Sequence, residues 1–149
     1  MMFDTDNVVV RVLHAGDAES VAGLCTQLGY RTSTNEVERR LHEAGDEAHA
    51  VFMADTPDGR AVGWVQVCAR TILVSDRHAE VEGLVVDREW RGKGVGHALM
   101  RRAEEWARQE GCKVVSLRSN VVREGARPFY EDIGYEMVKT QWAFRKRLT

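Results

Sequence analysis

The sequence predicts an α/β (α+β) protein, a mixed sheet of six to seven strands flanked by about four helices, in one domain spanning residues 1–149. Three observations predict it. Strand-like and helix-like periods alternate in the order strand, two helices, three strands, helix, strand, helix, final strands. One stretch, residues 80–107 (EVEGLVVDREWRGKGVGHALMRRAEEWA), passes from a Val-rich strand through a basic glycine loop into an amphipathic helix. A chain of 149 residues with 44% hydrophobic and 30% charged residues can bury one core of ordinary composition.

Residues 8–13 read as the first strand. Asp17 is placed to cap a helix carrying Val21, Ala22, Leu24, Cys25 and Leu28, which Gly29 ends. Ser33-Thr34-Asn35-Glu36 fits a capping box, followed by Val37, Leu41 and Ala44 at helical spacing and closed by Gly45. Residues 48–54 and 60–69 read as a hairpin around the turn Thr56-Pro57-Asp58-Gly59. Residues 71–78 read as a connection to the central strand at 80–86. From Val95 the period becomes helical. Val95, Leu99, Ala103, Trp106 and Ala107 share one side, with Arg101, Glu104, Glu105 and Arg108 on the other, and Gly111 ends the run. Residues 113–119 read as a strand and 124–133 as a short helix stopped by Gly134. A proline at 128 is tolerated only in a first turn, which pulls the start of that helix beyond 124. Residues 135–138 and 141–147 read as final strands, the last alternating Trp142 and Phe144 with charged neighbours.

Composition excludes several classes. A net charge of −2 argues against non-specific nucleic-acid binding. No apolar run reaches 18 residues, so no membrane span is expected. The opening MMFDTDN is acidic and short, unlike a signal peptide, which points to the cytoplasm. Cys25, Cys68 and Cys112 are odd in number and scattered, as reduced cysteines are. The five histidines show no ligand spacing, so no metal is expected.

The glycine loop is the most informative stretch. Gly92, Gly94 and Gly96 carry no side chains to hold a ligand away, and the first N–H groups of the following helix have no intrahelical partner. The helix dipole favours negative charge there, and Arg88, Arg91 and Lys93 add formal positive charge. Two phosphate motifs fail. Lys93 is followed by Gly94 where a P-loop needs Ser or Thr, and His97 stands where the dinucleotide fingerprint needs its last glycine. What remains is Arg91-x-x-Gly94-x-Gly96 after a Val-rich strand. On that strand Glu80 and Glu82 lie two apart, which by strand period puts both on one face.

Over nearly its whole length the chain resembles the GNAT superfamily of acyl-CoA N-acyltransferases. The resemblance rests on Leu84-Val85-Val86-Asp87 through Arg91-Gly92-Lys93-Gly94-Val95-Gly96. It also rests on Ser119-Asn120, Ala126 and Phe129-Tyr130-Glu131-Asp132-Ile133-Gly134-Tyr135. It implies a mostly antiparallel sheet splayed at its central strands, acetyl-CoA as co-substrate, and direct attack by an amine without an enzyme nucleophile. The loop from Arg91 to Gly96 would hold the pyrophosphate of coenzyme A. The strand at Leu84, Val85 and Val86 would meet the pantetheine arm, and Asn120 would bond the cofactor. An amine of lysine-like pKa costs roughly 4–5 kcal/mol to neutralise at pH 7, so a base is useful. The resemblance gives that role, or the holding of a water that leads to it, to Glu80 or Glu82. It gives the acid that protonates the departing thiolate to Tyr130. The acceptor is then a primary amine of a small molecule, with the acidic group Glu43, Asp46 and Glu47 near it, and a homodimer is compatible. Alternatives are a protein N-terminus or lysine as acceptor, a non-catalytic acyl-CoA sensor, and a structural partner using the final strand.

Overall fold

The computed structural model describes residues 7–45 and 48–149. Most of the opening heptapeptide, together with Asp46 and Glu47 of the acidic group, lies outside the described residues. The chain divides into two compact units, one ending at Arg118 and the other Ser119–Thr149. The first contains β1 (Val9–Val12), α1 (Ala18–Gln27), α2 (Thr34–Ala44), β2 (His49–Asp55), β3 (Ala61–Ile72), β4 (Ser75–Val86), α3 (Val95–Gln109) and β5 (Val115–Leu117). The second contains α4 (Ala126–Asp132). The strands form one sheet in the order β1-β2-β3-β4-β5, antiparallel except for the parallel pair β4–β5.

The described residues thus hold five strands, not six to seven. Residues 135–138 and 141–147 form no ladder. Alternation predicts a strand because one face should be buried, but Val138, Trp142 and Phe144 are 85%, 85% and 88% exposed. The Trp142 and Phe144 rings meet edge to face, 6.3 Å apart. The stretch 71–78 also differs from expectation. β3 continues to Ile72 and β4 starts at Ser75, so only Leu73 and Val74 make the turn. Neither residue type signals a turn, and both are fully exposed.

Helix ends follow the sequence closely. Ser33 and Glu36 form the reciprocal capping box, with Glu36 N–H donating to Ser33 Oγ at 3.1 Å and Ser33 N–H to Glu36 Oε1 at 3.2 Å. α1, α3 and α4 end in Schellman motifs at Gly29, Gly111 and Gly134, closed by Tyr30, Cys112 and Tyr135 N–H donating five residues back. α4 starts after Gly125, which puts Pro128 in its first turn. Asp17 is the residue before α1, but its carboxylate makes no cap bond. It accepts from the Arg11 guanidinium and from His14 N–H instead, each at 2.8 Å.

Helices cover both faces of the sheet. Ala18, Val21 and Ala22 of α1 and Val37 of α2 pack with Met53 on one face. Val95, Leu99, Met100, Ala103 and Ala107 of α3 are buried on the other. Each large side chain among these contributes roughly 1.5–3 kcal/mol by burial. A Cβ on Gly63 would lie 3.1 Å from both Val95 and Leu99, so this glycine lets the start of α3 approach β3. That contact fixes where the glycine loop sits.

Candidate active site

β4 ends at Val86, and the chain turns through a short 3-10 segment, Arg88–Trp90, into α3. Gly92 and Gly94 have φ of +75° and +85°, a region that side chains with a Cβ enter only under strain. Ala98 N–H donates to Gly94 C=O at 3.0 Å, the first bond of the helix. The N–H groups of Gly94, Val95 and Gly96 therefore precede any intrahelical acceptor, at the positive end of the dipole. Arg91, Gly92 and Lys93 are exposed. Lys93 Nζ stands 5.0 Å over the Trp90 ring, and Arg91 Nε lies 3.4 Å from Val86 C=O. The loop thus combines backbone donors with cations at its rim, a chemistry that suits an anion.

A residue that sequence reasoning missed braces this loop. Gln27, the last residue of α1, donates from Nε2 to Asp87 Oδ2 at 3.2 Å and accepts at Oε1 from Arg88 N–H at 3.1 Å. Asp87 is buried, which raises its pKa. Hydrogen bonds from Glu89 N–H and Gln27, and the charges of Arg60 and Arg91, outweigh that and hold the carboxyl below its usual range. A glutamine 61 residues upstream of Arg88 carries no sequence signal of this contact.

The inner edge of β4 opens halfway. β5 pairs with Ala79, Glu80 and Val81 and goes no further, ending at Leu117. Opposite, β3 follows β4 throughout, with one irregularity near the hairpin turn, between Arg70 and Ile72, and a second in mid-strand: Val67 faces Val81 and Gln66 faces Gly83, so Glu82 is an extra residue. The bulge reverses the alternation of N–H directions. Before it, Ala79 N–H points toward β5 and donates to Val114 C=O. After it, Asp87 N–H donates to Val62 C=O, so by alternation Gly83 and Val85 also face β3. Leu84 and Val86 then present their amides to the side where no strand pairs. Of the three strand residues singled out in the sequence, these two face the open edge, and Val85 is turned inward.

Glu80 and Glu82 come together on one arginine despite the bulge. Arg70 of β3 donates from one terminal nitrogen to Glu82 Oε1 at 2.7 Å, and the other lies 3.8 Å from Glu80 Oε2. Cys68 Sγ–H donates to the same Glu82 oxygen at 3.0 Å. Burial pushes the Cys68 thiol up, and the Glu82 carboxylate adds to this, so the cysteine stays a thiol. His78 Nε2 lies 3.5 Å from Glu80 Oε1. Two carboxylates against one guanidinium leave a net negative charge while His78 is neutral, which suits a cationic acceptor.

In the second unit, Tyr130 lies on α4 with ring contacts to Phe129 at 5.0 Å and Tyr135 at 6.0 Å, both edge to face. Burial raises the phenol above its ordinary value, and Arg123 offsets part of this. At neutral pH it keeps its proton. Asn120 closes its own turn, its Oδ1 accepting from Val122 N–H at 3.1 Å. Among the described residues no cluster of His, Cys, Asp or Glu is grouped to hold a metal. No helix among them is long and apolar enough to cross a membrane.

A sheet that opens beside one strand, next to a helix start rich in backbone donors, suits a long anionic ligand lying along a strand edge. The match of the Acetyltransferase (GNAT) family model to residues 21–135, across both units, makes that specific: the chain belongs to this family. It is an acetyl-CoA-dependent acyltransferase. The aminoglycoside N(6')-acetyltransferase type 1 of Stenotrophomonas maltophilia is 28% identical over 142 residues, 92% of this chain and 93% of that protein. The glucosamine 6-phosphate N-acetyltransferase of Trypanosoma brucei brucei is 34% identical over 145 residues, 94% and 97% of the two chains. The fold matches that of the aminoglycoside acetyltransferase AAC(6')-Iy, solved in complex with a coenzyme A bisubstrate analogue. The TM-score is 0.81 at 21% identity, covering 94% of this chain and 98% of that one.

Proposed function

We propose that this protein transfers the acetyl group of acetyl-CoA to a primary amine of a small molecule by direct attack. The observation that carries the proposal is two sets of unpaired donors flanking one turn, the amides of Leu84 and Val86 on the open edge and those of Gly94, Val95 and Gly96 at the helix start. Pantetheine amides pair with the strand edge, and pyrophosphate meets the helix start, with Arg91, Gly92 and Lys93 around it. A carboxylate of the Glu80–Glu82 pair takes the proton of the acceptor ammonium, whose lone pair then attacks the thioester carbonyl. Tyr130 returns a proton to the thiolate; a phenol that burial keeps protonated supports that role. Asn120, its oxygen engaged in its own turn, offers amide N–H donors to the cofactor. Two relatives aligned over nearly their full length are named for small amino acceptors, which supports a small molecule over a peptide.

The test has two arms. Acetyl-CoA at a hundred times its dissociation constant should stabilise the protein by about 2.7 kcal/mol, read as a thermal shift. Thiol release is then followed with a 6'-amino aminoglycoside, glucosamine 6-phosphate and a lysine peptide. Turnover confined to the peptide would refute the small-molecule acceptor. Stabilisation without turnover of any amine would make the protein a sensor. No stabilisation would refute both.

A further inference from the structure

We infer that His78 and Glu80 act as one proton acceptor, with Glu82 serving as the anchor that holds Arg70 beside them. This deepens the proposed function and rests on it.

The inference starts from the tautomer of His78. Its Nδ1 lies 3.1 Å from the carbonyl oxygen of Asp76 and 3.4 Å from Ser75 Oγ. A carbonyl oxygen only accepts, so Nδ1 carries the hydrogen of the neutral ring. Nε2 is then a bare lone pair, and it faces Glu80 Oε1 at 3.5 Å. An ionised carboxylate and an imidazole lone pair thus point at each other with no hydrogen between them. The geometry lacks one proton, and gaining it would convert a repulsive contact into a charge-assisted hydrogen bond. Both side chains are mostly buried, 14% and 18% exposed, so water screens that contact little.

Glu82 is differently engaged. Its Oε1 accepts from Arg70 at 2.7 Å and from Cys68 at 3.0 Å. Those donors already occupy that oxygen. Arg70 reaches Glu80 only at 3.8 Å, beyond hydrogen-bond length. From β5, Ser116 stands in register with Glu80. The two glutamates that look equivalent in sequence therefore divide into an anchor and an acceptor.

In the reaction, the acceptor ammonium gives one proton to the His78–Glu80 pair. The freed lone pair forms the C–N bond, and the C–S bond of the thioester breaks. Tyr130 gives its proton to the thiolate and is reloaded by the second proton leaving the nitrogen, giving the free thiol and the amide, and the pair returns its proton to solvent.

Two measurements test this. The nitrogen NMR spectrum of protein carrying labelled histidine, with His78 assigned through His78→Gln, should show the neutral ring protonated at Nδ1. A ring protonated at Nε2 overturns the inference whatever the enzyme acts on. In steady-state kinetics on the amine identified by thiol release, His78→Ala and Glu80→Gln should each lower kcat by about a hundredfold with acetyl-CoA affinity unchanged. The double variant should be little worse than either single one, and added imidazole should restore part of the His78→Ala loss. A His78→Ala enzyme at wild-type rate, a loss that imidazole leaves untouched, or a larger loss in Glu82→Gln than in Glu80→Gln overturns it. A wild-type protein that turns over no amine is a distinct failure, that of the functional proposal itself.

Discussion

Two arginines on this sheet each face two carboxylates, and they hold them differently. Arg11 of β1 is saturated. Its terminal nitrogens each meet a different oxygen of Asp17 at 2.8 Å, and its Nε donates to Asp55 at 2.6 Å. Asp17 accepts a further backbone N–H from His14. Arg70 of β3 makes one short bond, to Glu82, and leaves Glu80 at 3.8 Å. In the first cluster every guanidinium N–H has an acceptor, which suits a brace of β1, β2 and the start of α1. The second keeps a carboxylate and an imidazole in reserve. Charge composition does not distinguish a brace from a reactive site; unmet hydrogen-bonding capacity does.

The largest effect that bears on this contrast is at Arg11. Arg11→Ala strands Asp17, which is 5% exposed, without its partner. Breaking a buried pair costs 3–5 kcal/mol, and the 29% exposure of the Arg11 side chain reduces that to about 2–4 kcal/mol. Urea unfolding measures it, and a loss under 1 kcal/mol would erase the distinction.

A smaller effect is the acid response. The Arg11 guanidinium, opposed by burial and helped by His14 N–H, holds the Asp17 carboxyl below its usual range. A group with a depressed folded pKa stabilises above its unfolded value, about 3.9, and that contribution is lost as pH falls through the folded value. Wild-type melting temperature should therefore drop below about pH 4, and Asp17→Asn should show a shallower drop. Parallel curves would mean that Asp17 is not held as described.

The smallest effect on stability is at Arg70. Its side chain is 49% exposed and its partner Glu82 38%, so Arg70→Ala should change unfolding free energy by less than about 1 kcal/mol. The same variant should lower turnover, because nothing then fixes Glu82 beside the His78–Glu80 pair. A stability loss equal to that of Arg11→Ala would make the two clusters alike.

What the sequence made legible was local. Ser33 and Glu36, and the glycines at 29, 111 and 134, act within five residues of themselves, and each did what its chemistry implies. The glycine loop was legible for the same reason, since Gly92 and Gly94 occupy left-handed backbone wherever the chain goes next. Non-local features were not. Trp142 and Phe144 alternate as strand residues do, yet no partner strand among the described residues buries them. The turn at Leu73-Val74 is set by pairing of β3 with β4, not by turn residues. Asp17 looked like a cap because its competitor, Arg11, lies in another element. Glu80 and Glu82 were legible as a pair, but Arg70 and Cys68 appear beside them only when β3 and β4 are laid side by side, whereas His78 sits two residues before Glu80 on β4 itself, on the face that the strand period gives.

The extra residue at Glu82 also decides which donors the open edge offers. Were the same residues paired with β3 without the bulge, β4 would run on in unbroken alternation, and every amide beyond Glu82 would swap sides. Leu84 and Val86 would turn to β3, and the open edge would offer the donors of Gly83 and Val85 in their place. Composition, charge and chain length would all be the same. One slip of register at a single residue thus re-addresses the whole edge.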